Sequence, residues 1–169
     1  VSAPISLQLE AIFLSPGHDF KGRFGQTRLD HGIERVSTVQ CHAGRGLFGD
    51  RYYDHKPDYK AQATFFAAEV GEALLAEFAP HLRVDAGLER FRRNFLTRGV
   101  DLNTLIGHRF RLGSVVFEGV EECAPCFWMD QAIGPGVEAA LHGCGGLRTR
   151  ILCDGEIAVG AQELVFLES

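Results

Sequence analysis

Two thiols in "EGVEECAPCFWMD", residues 118–130, are the first groups in this chain that could do chemistry. Cys123 and Cys126 flank an alanine and a proline, and an aromatic pair follows them. That spacing serves half of a tetrahedral zinc site, a redox dithiol, or one working thiolate beside a bystander. Zinc needs two further donors. Only His142 and Cys144, just ahead of Gly145-Gly146, form a second close pair, while Cys41 and Cys153 are scattered. A redox dithiol belongs at the start of a helix that follows a strand, where the helix dipole lowers a thiol pKa, and no βαβ pattern surrounds this one. The plain alternative is two small hydrophobes buried at a strand end.

Cationic side chains come next. If "RRNF", residues 92–95, is a strand, Arg92 and Asn94 share a face and Arg93 takes the other. A guanidinium beside a carboxamide is a receptor for phosphate or carboxylate, because arginine offers a planar fork of donors. In "GGLRTRIL", Arg148 and Arg150 likewise share a face, where two cations repel unless they are solvated or hold an anion. Solvated strand surface is the competing reading for both stretches. The glycine-rich "GRGLFGDRYYDH" lacks the Gly-Lys-Ser/Thr ending of a phosphate loop. Within it, Asp50 and Arg51 can form a local ion pair, whereas His42, Asp54 and His55 match no metal-ligand spacing and read as surface.

These groups need a frame. "SLQLEAIFLS" and "IERVSTVQ" predict strands, and residues 15–32 read as a loop or insertion. Residues 41–60 predict a long loop of the kind that tends to be functional. In "AAEVGEALLAEFAPHL", Val70, Leu74, Leu75 and Phe78 fall on one helical face, and Pro80 stops the run. The second half breaks into short strands; Asp154-Gly155 predicts a type I′ hairpin turn, and "PGVEAALHG" a turn or two of helix. The fold class expected is mainly β with a few helices, a small closed or partly open β-barrel. Too few helices are present for the crossovers of a doubly wound α/β sheet.

The composition sets outer bounds. At 169 residues, with 46% hydrophobic and 23% charged residues, the chain reads as one globular domain, residues 1–169. A formal net charge of −5 argues against nucleic acid as a partner, although a local basic pocket is compatible with it. No apolar run is long enough to span a bilayer, so no membrane partner is expected. The opening "VSAPISLQLE" lacks the pattern of a secretory signal. Five cysteines, an odd number, fit a reducing, cytoplasmic setting better than a disulfide framework.

Taken in order, "GRGLFGDRYY", "AQATFFAAE", "RRNFLTRGVDLNTLIGHRFRLGSVVFEG", "CAPC" and "GLRTRILCDGEIAVG" resemble a MOSC domain, the module named after the molybdenum cofactor sulfurase C-terminus. The likeness runs over about residues 36–167 and is strongest over 91–160. It implies a β-barrel with a cleft for a pterin-based molybdenum cofactor. In members that reduce N-hydroxylated compounds, such as the mitochondrial amidoxime-reducing component and its bacterial relatives, a cysteine thiolate ligates molybdenum. The resemblance carries that role onto Cys126 rather than Cys123, and the family's Arg-x-Asn element onto Arg92 and Asn94. By the same likeness, the loop around Asp50 and Arg51 shapes the site mouth, and Arg148 or Arg150 contacts phosphate or substrate.

The function so implied is a molybdenum-dependent reductase of N-hydroxylated bases or related small molecules, fed by a separate electron-donor protein. A persulfide carrier for metal–sulfur assembly and a non-catalytic anion-binding module are the alternatives. The chain departs from the family in three ways. Read as a single-domain member, it is expected to lack the N-terminal extension with which larger reductases grip the cofactor, which makes a homodimer one route to firmer binding. It has Gly160-Ala161 where Gly-Asp is usual, and "FWMD" where the amidoxime reducers have a Thr-Thr segment.

Overall fold

The computed structural model describes residues 2–19 and 29–168. The segment read as a loop or insertion, 15–32, therefore lies partly outside the described residues. The first half contains β1 (Ile5–Leu14), β2 (Glu34–Val36), β3 (Thr38–His42), β4 (Gly46–Leu47), β5 (Ala63–Ala67), α1 (Ala68–Glu77) and β6 (Phe95–Arg98). There follow β7 (Arg109–Leu112), β8 (Val115–Glu122), α2 (Trp128–Ala132), α3 (Val137–Ala140), β9 (Leu147–Ile151), β10 (Gly155–Ala158) and β11 (Gly160–Leu167).

Seven strands close on themselves in the order β11-β7-β8-β9-β5-β6-β1 and back to β11. Closure removes the open edges that would otherwise template pairing with other chains. β2 extends the sheet alongside the second half of β1, while β10, β3 and β4 form a separate small sheet. Every barrel pairing is antiparallel except β5–β6, which α1 connects as a crossover. The barrel is mainly β, as the sequence predicts, and of the closed and partly open forms expected it takes the closed one.

Why β1 can serve both sides of the wall is visible in its register. Leu7 and Leu9 point into the barrel, and the pairing with β6 then slips between Leu9 and Ala11. The extra residue, Glu10, shifts the alternation, so that Ile12 and Leu14 continue inward while Ala11 and Phe13 turn outward. Inside, Phe65, Phe95, Phe110 and Phe117 fill the centre, with Phe65 and Phe95 4.8 Å apart and Phe110 stacked on Phe117 at 5.6 Å. Outside, Phe13, Phe66 and Leu96 make a second apolar layer with Leu74 of α1, Phe91, Trp128 and Met129 of α2, and Val137 of α3. Val70, Leu75 and Phe78 pack against the same layer, as the helical face predicts.

Two local expectations are corrected. Asp154-Gly155 is no hairpin turn, because β9 stays in the barrel with β5 and β8 while β10 leaves for β3. Neither residue has the positive φ that a type I′ turn requires. Instead the Asp154 carboxylate accepts the Ala43 amide at 2.6 Å and ties the crossing to the neighbouring loop. Nor is "RRNF" a strand throughout: a 3₁₀ turn covers Leu88–Phe91, Arg92 is left-handed at φ 57°, and β6 begins only at Phe95. Among the described residues, no helix is long and apolar enough to cross a membrane.

Candidate active site: a cationic cleft with two thiols

A cleft of about 160 Å³ lies where four loop segments meet the starts of β5 and β9. Residues 18–19, 51–61, 92–93 and 123–129 supply its walls, together with Thr64 and Arg148. Four guanidinium groups line it: those of Arg51, Arg92, Arg93 and Arg148. Asp19 is the one carboxylate among its described lining residues.

Both thiols reach the cleft, by different routes. Cys123 directly follows β8 and is buried, its amide donating to Gly146 O at 2.8 Å. Such close docking needs glycine at two neighbouring positions: a Cβ on Gly145 would sit 2.3 Å from Cys123 O, and one on Gly146 2.2 Å from Phe65 O. Cys126 is an exposed residue two positions before α2, and its carbonyl accepts the Met129 amide at 2.9 Å. Burial within the cleft pushes the Cys126 thiol up from its ordinary pKa, against the opposing pull of the Trp128 amide and the Arg93 charge. The thiol is therefore protonated at neutral pH until something displaces the proton.

Residues 123–126 form an irregular link rather than the first turn of a helix, which is not the frame of a redox dithiol. The described residues also bring no three metal-ligating side chains together. Cys144, the partner considered for zinc, packs against the outer apolar layer and donates to Ala140 O at 3.6 Å.

The arginines differ in how their charge is answered. Arg92, 9% exposed, is clamped at both terminal nitrogens: Nη1 donates to Asp19, while Nη2 donates to Ser15 Oγ and to Gly17 O, both at 2.8 Å. Its guanidinium lies 5.4 Å from the Trp128 ring centroid. Burial, then the Arg51 charge, bring its pKa down to about 10, with Asp19 and Asp50 opposing. Arg148 pairs with Glu121 at 2.8 Å, and Arg51 with Asp50 at 3.5 Å.

Arg93 is the exception. It donates to Gly145 O and Phe91 O at 3.0 Å and to Cys123 O at 3.2 Å. All three acceptors are neutral, and no carboxylate among the described residues pairs with it. It is held rigidly beside Cys126 with its charge unanswered. Strand alternation would have turned it away, and the left-handed backbone at Arg92 is what brings both arginines to one cleft.

Of the residues singled out in the sequence, Cys126, Arg51, Arg92 and Arg148 line the cleft, and Asn94, Asp50 and Arg150 do not. Asn94 is a buried clamp. Its Oδ1 accepts from the amide and hydroxyl of Thr64, both at 3.0 Å, and its Nδ2 donates to Phe13 O at 3.1 Å. Asp50 is buried beneath the 48–55 loop, accepting the Ser15 amide at 3.1 Å and the Tyr52 amide at 3.2 Å. Arg150 turns outward to Asp58 at 2.9 Å and Glu118 at 3.2 Å.

Sequence reasoning missed His18, Asp19, Arg93, Tyr52 and Tyr59. No motif marks His18 or Asp19; both lie in the segment read only as loop. The two tyrosines carry a weak signal, since aromatic residues crowd the 52–59 stretch, where the rings of Tyr52 and Tyr59 pack at a tilt with centroids 5.1 Å apart.

The residues present suit an anionic group with a soft metal. An uncompensated guanidinium and three further cations face inward, and one accessible thiol lies among them. A scan against family models matches the MOSC domain over residues 44–162. Among solved structures, the YuaD protein of Bacillus subtilis superposes with a TM-score of 0.72 at 15% identity, covering 99% of each chain. YiiM of Geobacillus stearothermophilus gives 0.67 at 18% identity over 96% of this chain and 75% of its own. YiiM of Escherichia coli gives 0.61 at 15% identity over 99% and 72%. At these identities the neighbours establish the fold, and a comparison with curated protein sequences finds no significant match. The family match spans most of the chain and includes every segment that builds the cleft except residues 18–19: the chain belongs to the MOSC domain family.

Proposed function

We propose that this protein binds a pterin-based molybdenum cofactor and reduces small N-hydroxylated compounds, with Cys126 as the protein ligand to the metal. The observation that carries the reading is the pairing of an accessible thiol, Cys126, with the unanswered charge of Arg93 in one cleft. When bound, the cofactor supplies a molybdenum centre able to pass electrons to an N–O bond. Arg51, Arg92, Arg93 and Arg148 hold its anionic groups, Arg92 in a fixed orientation set by Asp19. To serve as that ligand, Cys126 would give up its proton, because a ligating thiol must be a thiolate. Cys123, buried and docked on Gly146, shapes the wall without ligating. Electrons come from a separate flavin or iron–sulfur protein.

Purification from a host able to make the cofactor, with molybdenum counted per chain, tests the proposal. One metal per chain is expected for the wild type and for Cys123→Ser, and none for Cys126→Ser, which also loses reduction of an N-hydroxylated base. Wild-type protein free of molybdenum under those conditions overturns it.

The exposure of Cys126 favours one competing reading, transient carriage of sulfur as a persulfide. Incubation with a cysteine desulfurase would then add one sulfur atom to Cys126 alone. An equal adduct on the exposed Cys153 marks nonspecific chemistry and rejects the carrier.

A further inference from the structure

Reduction of an N-hydroxylated base consumes protons as well as electrons: R–NH–OH with two electrons and two protons gives R–NH₂ and water. The N–O bond breaks, and the departing oxygen must be protonated as it leaves. A cleft dominated by guanidinium groups cannot supply that proton, because arginine does not titrate near neutral pH. Asp19 is buried and committed to Arg92 and His31, with its carboxyl held below the usual range. Burial raises the Tyr59 phenol well above its ordinary pKa.

We propose that His18 is the cleft's proton donor, delivering its imidazolium proton to the oxygen released when the N–O bond is reduced. This rests on the reading of the cleft as a reductase site, with the electrons coming from the flavin or iron–sulfur partner. His18 lines the cleft and is half-buried. Its ring is held edge-on by Tyr52 at 4.9 Å and against His55 at 5.8 Å. These contacts fix the plane of the imidazole but use neither nitrogen. No hydrogen bond joins its nitrogens to any described residue, and neither is a sealed, unsatisfied atom. An oriented imidazole in a cleft, its nitrogens engaged by no described residue, is what proton transfer requires.

The surroundings make the donor conditional on a bound anion. Arg51, Tyr52, His55 and the buried Asp50 face His18 from the 50–55 loop, Arg92 from the turn before β6, and Asp19 is its chain neighbour. Burial, and then Arg51, His55 and Arg92, lower its pKa below the ordinary 6.5, with Asp50 opposing. An anion resting on Arg51 and Arg92 offsets part of that repulsion and favours the protonated ring. Linkage then requires the reverse: a protonated His18 tightens the anion. The proton is thus loaded when the cleft is occupied, and solvent at the mouth restores it after each turnover. The second proton reaches the nitrogen from solvent.

The test begins with cofactor-free protein. Histidine-labelled protein is titrated by NMR with and without saturating inorganic pyrophosphate at constant ionic strength, His18→Gln assigning the signal and Tyr52→Leu serving if that variant does not fold. A His18 pKa below 6.5 that rises with pyrophosphate is expected, with pyrophosphate affinity falling as pH rises through that window. A saturated cleft with an unmoved His18 pKa overturns the inference and spares the functional reading. Pyrophosphate that fails to bind overturns the functional reading itself. With cofactor-loaded enzyme, His18→Gln is expected to lower kcat about 100-fold, the modest end for a lost acid–base group, with metal content and KM held. Full kcat in the variant also overturns the inference.

Discussion

Asp19 and Arg92 stand 73 residues apart in the chain and meet as a buried ion pair at the wall of the cleft. The Asp19 side chain is fully buried and that of Arg92 7% exposed, and Asp19 is in turn held by the amide and ring of His31, with Nδ1 2.6 Å from its carboxylate. The pair joins the first loop to the turn before β6 and sets the orientation of the most buried cation in the site.

Breaking that pair should be expensive. Asp19→Asn leaves a buried guanidinium uncompensated and is expected to cost roughly 3–5 kcal/mol of unfolding free energy, read by urea denaturation. The pH dependence follows. Burial would raise the Asp19 pKa, but the His31 hydrogen bonds and the Arg92 charge outweigh it and hold it below 3.8. The unfolded chain therefore binds more protons near pH 3.8. The contribution is fully present above that value and fades as pH falls through the lower folded pKa, and the variant should lack this acid-limb slope.

Arg93 and Arg150 make a matched comparison. Arg93→Ala removes a charged donor from the cleft and is expected to weaken pyrophosphate binding by about 10- to 100-fold, corresponding to ~1.5–3 kcal/mol. Arg150→Ala breaks only surface pairs with Asp58 and Glu118 and should leave the affinity unchanged. Calorimetric titration of both variants separates them.

Asn94→Ala is expected to lose stability and keep binding. It leaves the Thr64 amide and the Phe13 carbonyl short of a buried partner, at roughly 1–3 kcal/mol for each group stranded. Anion affinity of the folded variant should match the wild type, since Asn94 does not line the cleft.

Native-state alkylation should sort the cysteines. Iodoacetamide is expected to modify the exposed Cys126 and Cys153, and to spare Cys41, whose burial pushes its thiol up to about 12. Because the Cys126 pKa is also raised, its labelling rate should keep climbing with pH beyond 9. Pyrophosphate should protect Cys126 and leave Cys153 untouched.

The outline of this molecule was legible where local pattern and tertiary packing agree. The helical face of Val70, Leu74, Leu75 and Phe78 survives intact because the barrel's outer wall offers an apolar layer at the same spacing. Alternation failed at Arg92, where one left-handed residue reverses the sides that Arg93 and Asn94 take. It failed again at Asp154-Gly155, where a turn-like dipeptide carries the chain between two sheets. Cys126, Arg51, Arg92 and Arg148 were reachable through motif and charge. His18 and Asp19 were not, because their roles are created by Tyr52 and Arg92, far away in sequence.

The barrel's seam has a consequence for how the molecule is made. β1 is synthesised before all the other strands, yet Ile5 through Leu9 find their partners in β11, with Ile5 opposite Leu164. The cylinder cannot shut until that final staple leaves the ribosome, and meanwhile the phenylalanine-rich lining lacks a lid. Such distant pairing makes for slow folding, so the nascent half-cylinder is the species most in need of a chaperone.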